Sequence, residues 1–395
     1  MSSPSSNLDQ FVVVWQDDRD RDGSFALMAR GFFMDGSKAF AEMSVCTGAG
    51  KELWPVVSAA ANGDFVVSWQ DDRDNKGTHT VWIRGFDSQG KERFAEQQVH
   101  APGHGSRLRP ALGVAADGSF VVAWETQDDR DGEERVVVRG FYPDGTERFA
   151  SFFVGDSEGK QRDPALSMDG AGNFVLVWED QRGSTNLHNV LASGFKPDGT
   201  PTFEEMRVHK LAMGEQRDPS IAMGPSGNFV VAWADDKDRD GKYDIYARGF
   251  DLSGQPRFKE MRISSNPEGR QLQPQVNLGP RGGFVVVWED DHDSNDDFEV
   301  MARGFNEAGK PRFPDFVVNT ISSGQQLKPS VAIGDNGHFA VVWEDDKADN
   351  GVFEIFVRGF DDEGHQTFAD MAVNTVPAGR QMRPFIAASR GAHKG

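Results

Sequence analysis

The sequence has little of several residue types on which common folds and chemistries depend. Its 395 residues include a single cysteine, Cys46, so no disulfide can form within the chain. It has three tyrosines, which argues against a hydroxyl-rich catalytic pocket, and no apolar run long enough to cross a membrane. The segment from Met1 to Gln10 is polar and lacks the apolar core of a signal peptide. Two expectations stay open: a protein that remains inside the cell, or the mature part of a longer chain.

Positive charge is also scarce, with 42 Lys and Arg residues against 62 Asp and Glu residues and a formal net charge of −20. A field of that sign repels the phosphate backbone of nucleic acids and anionic membrane surfaces, and it attracts cations. We therefore expect neither a nucleic-acid partner nor insertion into a membrane. Hydrophobic residues make up 37% of the chain, which is enough for a packed core rather than a disordered polymer.

One repeated unit of about 55 residues accounts for nearly the whole sequence. Each copy contains an apolar run that ends in a tryptophan, and a Gly-Phe pair keeps the same period from Gly31-Phe32 to Gly359-Phe360. A unit of this size cannot bury its own hydrophobic face, so the copies must pack on one another. The recurring tryptophans are Trp15, Trp69, Trp124, Trp178, Trp233, Trp288 and Trp343.

Each unit is expected to form four antiparallel strands. The first follows a proline, as at residues 329–333, and the second is a β-branched run such as residues 11–15. Asn-Gly and Asp-Gly pairs mark tight hairpin turns, and no helical period is present. The chain begins within a second strand and ends with an unpaired first strand at residues 380–387. We therefore predict an all-β, seven-bladed β-propeller over residues 1–395, closed by pairing of its two terminal segments, with 1–9 as lead-in and 390–395 as tail.

Acidic loops follow several of the tryptophans. Alternate carboxylates with a following glycine are typical of calcium loops, because the carboxylates converge on a hard cation while the glycine allows the sharp turn. We expect calcium in some but not all blades; the alternative is solvated loops whose aspartates cap turns and pair with Arg or Lys. The candidate ligands are Asp18, Asp20 and Asp22 in the first unit, Asp129 and Asp131 in the third, Asp236, Asp238, Asp240 and Asp244 in the fifth, and Asp291, Asp293, Asn295 and Glu299 in the sixth.

Two further repeat positions carry polar residues. An arginine precedes the Gly-Phe pair and a glutamate often follows the tryptophan, as with Arg303 and Glu289, so we expect a salt bridge between adjacent strands. The loop that enters a blade contains Gln271, Gln326 or Gln381. These amides would either lock one blade to the next or bind a polar ligand at the channel mouth.

The repeat resembles a known class of bacterial sequence. Its elements are Gly-x-Phe-Val-Val-Val-Trp, an Asp/Gly-rich loop, Ile-x-Ala-Arg-Gly-Phe-Asp, and a closing Val-Asn kept at Asn319 and Asn374. They resemble tandem repeats of large secreted bacterial calcium-binding and adhesin-like proteins, and the acidic loops are similar to the strand-linking calcium loops of integrin-type propellers. The resemblance implies a calcium-stabilised propeller, secreted or at the cell surface, that recognises glycans or other surfaces.

No catalytic constellation is evident, because no blade carries a distinct Ser/His/Asp set and the nine histidines share no obvious repeat position. We therefore predict a monomeric, non-catalytic recognition or adhesion module, lectin-like in character, that binds a glycan or protein. Two alternatives stay open. One is a glycan-active hydrolase or lyase that uses carboxylates at the channel mouth. The other is a structural scaffold for protein partners with inert acidic loops.

Overall fold

A computed structural model describes residues 9–48, 50–73, 76–100, 105–127, 134–155, 159–182, 187–210 and 213–389. The described residues form seven four-stranded antiparallel sheets, which confirms the predicted seven-bladed all-β propeller. No helix long and apolar enough to cross a membrane occurs among them. The predicted lead-in and tail fall almost entirely outside the described residues.

Strands of equivalent position recur in every blade. The first strands are β4 (Glu52–Ala59), β8 (Ser106–Val114), β12 (Lys160–Met168), β16 (Glu215–Met223), β20 (Gln271–Leu278), β24 (Gln326–Ile333) and β28 (Gln381–Ala388). The second strands are β1 (Gln10–Asp17), β5 (Phe65–Asp71), β9 (Phe120–Gln127), β13 (Phe174–Gln181), β17 (Phe229–Asp236), β21 (Phe284–Asp290) and β25 (Phe339–Asp345).

The third strands are β2 (Ala26–Phe33), β6 (Thr80–Phe86), β10 (Glu134–Phe141), β14 (Asn189–Phe195), β18 (Asp244–Phe250), β22 (Glu299–Phe305) and β26 (Glu354–Phe360). The fourth strands are β3 (Lys38–Ser44), β7 (Glu92–Gln98), β11 (Glu147–Phe153), β15 (Pro201–Arg207), β19 (Pro256–Arg262), β23 (Pro311–Val317) and β27 (Gln366–Ala372).

The first strands of neighbouring blades contact one another around a closed circle, so they surround a central channel. The circle closes where the chain's two ends meet. Strand β28 pairs antiparallel with β1, with Phe11 opposite Ala388 and Val14 opposite Phe385. The predicted closure by terminal pairing is therefore confirmed.

The core lies between blades rather than within any one of them. Second strands are buried along their length, and their tryptophans pack against the neighbouring blade; Trp15, for example, clusters with Val342 and Val357 of the preceding blade. The Gly-Phe pair has a steric cause. A Cβ atom on Gly304 would lie 2.2 Å from the ring of Phe313, which covers the glycine from the fourth strand. Only glycine leaves room for that ring.

The arginine before the Gly-Phe pair has a different partner from the one we predicted. The Nη1 group of Arg303 donates a hydrogen bond of 2.6 Å to the carbonyl of Ile263 in the preceding blade. Arg303 pairs in register with Val286, not with Glu289. The predicted Arg–Glu salt bridge is therefore wrong: this arginine joins two blades through a backbone carbonyl, and the glutamate is available for another role.

Candidate functional site

Each first strand contains one residue in the left-handed backbone region, with φ between 47° and 54°. This residue precedes a proline and lies where the register with the second strand shifts. The shift is next to the residue after the tryptophan, so the seven residues surround the channel mouth on the side of the acidic loops. We call them the channel-mouth ring: in order around the channel, Trp54, Arg109, Asp163, Asp218, Gln273, Lys328 and Arg383.

The strained backbone of the ring is held from the preceding blade. A non-glycine residue in the left-handed region costs about 1–3 kcal/mol, so it persists only where its surroundings fix it. Here the residue after the tryptophan accepts a hydrogen bond from the ring residue's N–H group; Glu179 accepts from Asp218 at 2.7 Å, and Glu289 from Lys328 at 2.8 Å. The same bond joins Trp54 to Gln16, Arg109 to Gln70, Asp163 to Glu125, and Arg383 to Glu344.

The ring is chemically divided even though its backbone is uniform. Lys328, Arg383, Trp54 and Arg109 are consecutive and make one half cationic and aromatic, whereas Asp163 and Asp218 are adjacent on the opposite side. All seven side chains are half-buried. A set of near-equivalent blades thus produces one strongly asymmetric site.

The acidic half consists of Asp163 and Asp218 with Glu125 and Glu179 behind them. Burial, together with the negative charge of Asp163, raises the pKa of Glu179 to about 8 and that of Glu125 to about 7. Burial and Asp163 also raise the pKa of Asp218 to about 6. Asp163 itself forms an ion pair with Arg109, with Nη1 and Oδ2 2.5 Å apart. The two aspartates at the mouth therefore have different electrostatic surroundings.

A second repeat position lies just before the third strand, and its carbonyl accepts a hydrogen bond from the first strand of the next blade. We call these residues the outer ring: Phe25, His79, His188, Tyr243, Phe298 and Phe353. Its member in the third unit, residue 133, lies outside the described part of the chain. His79 and His188 therefore do share a repeat position, and our statement that the histidines share none is wrong.

Two members of the outer ring meet at one carboxylate between the fourth and fifth blades. Glu215 lies 2.8 Å from His188 Nδ1, accepts a hydrogen bond of 2.8 Å from the Tyr243 hydroxyl, and accepts one of 2.7 Å from Arg217. Burial acts against ionisation of Glu215, but these three hydrogen bonds outweigh it and lower its pKa. Glu215 begins the strand that carries Asp218, so this cluster borders the acidic half of the mouth.

The channel, its mouth included, encloses about 540 Å³. Its wall is formed by small and apolar side chains of the first strands, among them Ala111, Ser167 and Ile221. Polar chemistry is therefore concentrated at the mouth, and the interior offers mainly a surface for packing.

Two of the acidic loops bring their carboxylates together. Ligand atoms of Asp18, Asp20 and Asp22 lie within 4.8 Å of one another, and so do those of Asp236, Asp238 and Asp240. Asp244 has a different neighbour, since its Oδ1 lies 3.6 Å from Arg262 Nη1. These two loops retain the donor set that a hard cation requires.

The other predicted ligands are not gathered in this way. In the sixth unit Asp291 lies 3.1 Å from Arg270, Asp293 accepts from the Asn295 amide at 3.0 Å, and Glu299 is 3.6 Å from His292. Within the described residues these side chains form no three-carboxylate cluster like those of the first and fifth units. Asp129 and Asp131 lie outside the described residues.

The three glutamines at the blade entrance are in the protein interior, each with no exposed surface. Gln326 donates to the carbonyl of Ser323 at 3.0 Å and accepts from Asn319 at 3.0 Å, which ties its strand to the preceding blade. Gln381 accepts from Asn374 in the same way, and Gln271 donates to Glu268. Because these amides are buried and engaged, we assign them no ligand contact, and blade locking is the role their contacts describe.

No protein-family model and no curated protein sequence matches the chain. Solved structures do share its architecture. A Penicillium chrysogenum α-L-arabinanase complexed with arabinobiose is 14% identical with a TM-score of 0.52, over 78% of this chain and 93% of that one. A PL25 ulvan lyase bound to -[GlcA(1-4)Rha3S]- is 10% identical with a TM-score of 0.54, over 83% and 86%. The GH93 α-L-arabinofuranosidase of Fusarium graminearum, in complex with arabinobiose, is 13% identical with a TM-score of 0.51, over 78% and 92%.

These similarities correct our prediction of a non-catalytic recognition module. We argued that no blade carries a distinct catalytic set of residues, yet two glycan hydrolases and a polysaccharide lyase are built on the same fold. The premise also fails in this chain, because the channel-mouth ring differs sharply from blade to blade. These similarities contradict our prediction that the protein is not an enzyme, because the chain is similar in fold to propeller enzymes that act on glycans.

Proposed function

We propose that the protein is a glycan-active enzyme whose catalytic centre is the acidic half of the channel mouth. One observation carries the proposal: Asp163 and Asp218 occupy equivalent positions on adjacent blades but have opposite surroundings. Asp163 faces the Arg109 guanidinium at 2.5 Å, whereas burial and a like charge raise the pKa of Asp218 to about 6. A carboxyl group whose pKa is raised, next to a second carboxylate that is ion-paired, is the usual equipment for cleaving a glycosidic bond.

The surroundings assign a role to each group. Asp218 is the general acid that protonates the leaving oxygen, and Asp163 is the carboxylate that acts as base or nucleophile on the other side of the sugar. Glu179 and Glu125 are positioning residues, because they hold the N–H groups of Asp218 and Asp163 from behind. The channel volume of about 540 Å³ is within the usual range for a small-molecule pocket and is open to a short oligosaccharide.

A second reaction class is favoured by the cluster at Glu215. His188 and Tyr243 are both proton-transfer groups, and both contact one carboxylate next to the mouth. Such a pair would serve a β-elimination, in which a base removes the proton next to a uronic acid carboxylate and an acid protonates the departing sugar oxygen. The products separate the two classes: elimination leaves an unsaturated, ultraviolet-absorbing sugar end, and hydrolysis does not.

A panel of polysaccharides incubated with the wild type, Asp163→Asn and Asp218→Asn tests the proposal. The wild type should release reducing ends from at least one polymer, and each variant should reduce kcat by about 100-fold or more, since acid–base groups typically contribute that much. The matched control is Asp198→Asn, at an exposed hairpin turn. Activity should fall as the pH rises through about 6, where Asp218 loses its proton. Full activity in both mouth variants would refute the assignment.

We propose in addition that the loops at Asp18 and Asp236 bind calcium as structural ions. Each offers three carboxylates within 4.8 Å, and a hard cation is held by such oxygen donors. Interleaved Arg19 does not neutralise its loop's cluster, because its Nη2 group pairs with Asp17 and Glu42 instead. Such ions would stabilise the conformation of these two loops, which lie on the same side of the propeller as the channel mouth.

A further inference from the structure

The cationic half of the channel mouth contains an arginine without an ion-pair partner. Among the described residues, the guanidinium of Arg383 forms no salt bridge and no hydrogen bond, and its carbon CZ lies 3.5 Å from the ring centroid of Trp54. The other two cations of this half are both engaged. Arg109 pairs with Asp163 at 2.5 Å, and Lys328 Nζ lies 3.6 Å from Glu289. Within the described part of the chain, Arg383 is therefore the positive charge of the mouth that has no ion-pair partner.

An unpaired, half-buried charge is costly, and it is unexpected in a chain with 62 acidic residues available to pair with it. Burial lowers the pKa of Arg383, and the negative charges of Glu344 and Glu289 offset this only in part. Glu344 itself is committed elsewhere, since it accepts the backbone N–H of Arg383 at 2.6 Å. The site thus retains a positive charge that an anionic ligand would neutralise.

Stacking on Trp54 orients the guanidinium, and its N–H groups have no acceptor among the residues that the structure describes. A planar guanidinium donates two parallel hydrogen bonds to a carboxylate or a sulfate, which a point charge cannot do. Arg109 lies on the other side of the mouth's aromatic residue, with its CZ 5.5 Å from the Trp54 centroid. An anionic group at Arg383 would therefore lie within a locally positive part of an otherwise acidic protein.

We propose that Arg383, positioned by Trp54, is the subsite for the anionic group of a charged glycan, either a uronic acid carboxylate or a sulfate ester. This rests on the proposed function in that it names the substrate class for the same mouth. It assigns the cationic half to substrate binding and leaves bond cleavage to the acidic half. A glycan composed only of neutral sugars would gain no binding affinity from Arg383.

Binding can be measured by calorimetry in the Asp218→Asn background, so that turnover does not interfere. The probes are two matched pairs: polygalacturonate with its fully methyl-esterified form, and κ-carrageenan with its desulfated form. The charged member of one pair should bind more tightly, and the pair that discriminates identifies carboxylate or sulfate as the recognised group. Adding Arg383→Met should weaken that binding by roughly 10- to 100-fold, as expected for loss of a charge-assisted hydrogen bond.

Arg270→Met is the matched control. Arg270 also stacks on an aromatic ring, with its CZ 5.1 Å from the Phe298 centroid, but it is ion-paired with Asp291 and Asp296. It should leave glycan binding unchanged. If Arg383→Met does not fold, Arg383→Lys keeps the charge without the planar fork and should bind the probe less tightly than the parent.

Equal affinity within both pairs, no binding of either charged polymer, or equal losses in the Arg383 and Arg270 variants would overturn the subsite. The proposed function fails separately. Binding through Arg383 without cleavage of any polymer by the wild type would refute the enzyme and keep the subsite. Cleavage of a neutral glycan that is unaffected by Arg383→Met would refute the subsite and keep the enzyme.

Discussion

Replacing Glu179 by glutamine isolates the cost of a buried carboxylate beneath the channel mouth. Glu179 is 5% exposed, and its Oε1 accepts the N–H of Asp218 at 2.7 Å. Glutamine keeps an acceptor oxygen of the same reach and removes only the titrating charge. Burial first, and the charge of Asp163 second, raise the pKa of Glu179 from 4.5 to about 8.

The sign of the effect follows from proton linkage. The folded protein keeps a proton that the unfolded chain releases, so the contribution of Glu179 to stability is complete below pH 4.5 and is lost as the pH rises through about 8. That pKa difference corresponds to roughly 5 kcal/mol between the two protonation states. Relaxation around the ionised group reduces the cost of ionising it. We therefore expect the free energy of unfolding of Glu179→Gln to exceed that of the wild type by on the order of 2 kcal/mol at pH 9. At pH 4 the two proteins should be equally stable.

Urea denaturation at intervals from pH 4 to pH 9 measures this difference, with Glu289→Gln as the control. Glu289 has the same repeat position and accepts the same type of backbone hydrogen bond, but Lys328 Nζ lies 3.6 Å from it. Its replacement breaks an ion pair and should not stabilise the protein at any pH. Parallel pH profiles for the wild type and Glu179→Gln would refute the reasoning, because they would mean that Glu179 is not protonated in the folded state at neutral pH.

Two further predictions concern the frame of the site. Calcium should raise the Tm of the wild type above its value in chelator, and the combined Asp20→Asn and Asp238→Asn variant should lose that increase; an unchanged wild-type Tm would remove calcium from the loops. Gly304→Ala should lower the free energy of unfolding by roughly 1–3 kcal/mol, because the new methyl group would overlap the Phe313 ring. Gly170→Ala, whose methyl group would meet its nearest neighbour at an ordinary 3.6 Å, should change stability far less, and equal losses in the two variants would contradict the steric explanation.

The fold could be predicted from the sequence because its signals are steric and periodic. The tryptophans and the Gly-Phe pairs recur for reasons that act within each blade, such as the Phe313 ring against Gly304. Closure of the ring of blades could also be predicted from the sequence, since the last strand, β28, pairs with the first, β1, to complete one blade.

The site was less predictable from the sequence, because its residues differ between repeats and are not marked by a recurring motif. Asp163 and Asp218 lie in short Arg-Asp-Pro segments within strands, whereas the pattern typical of a ligand site lies in the acidic loops. The residue before each proline changes in charge and size from repeat to repeat, and that variation was the available clue. It could not show that Glu179 contacts the next blade or that Glu215 joins His188 to Tyr243, because these contacts depend on how blades pack.

The left-handed residue before each proline has a consequence for how this protein could be altered. Its backbone is fixed by a bond from the neighbouring blade, so the fold does not depend on which side chain it carries; tryptophan, lysine and aspartate all occupy it. The fold therefore provides seven positions around the channel mouth at which the side chain can be exchanged, so specificity and reactivity can be altered by one substitution at a time. Gln273 differs from the other six, because Ala234 follows the tryptophan of the preceding blade and the Gln273 N–H group donates to the Asp218 carboxyl group instead. An exchange of Gln273 for a charged or aromatic residue would be the simplest first change, because Gln273 belongs to neither the acidic nor the cationic half of the mouth.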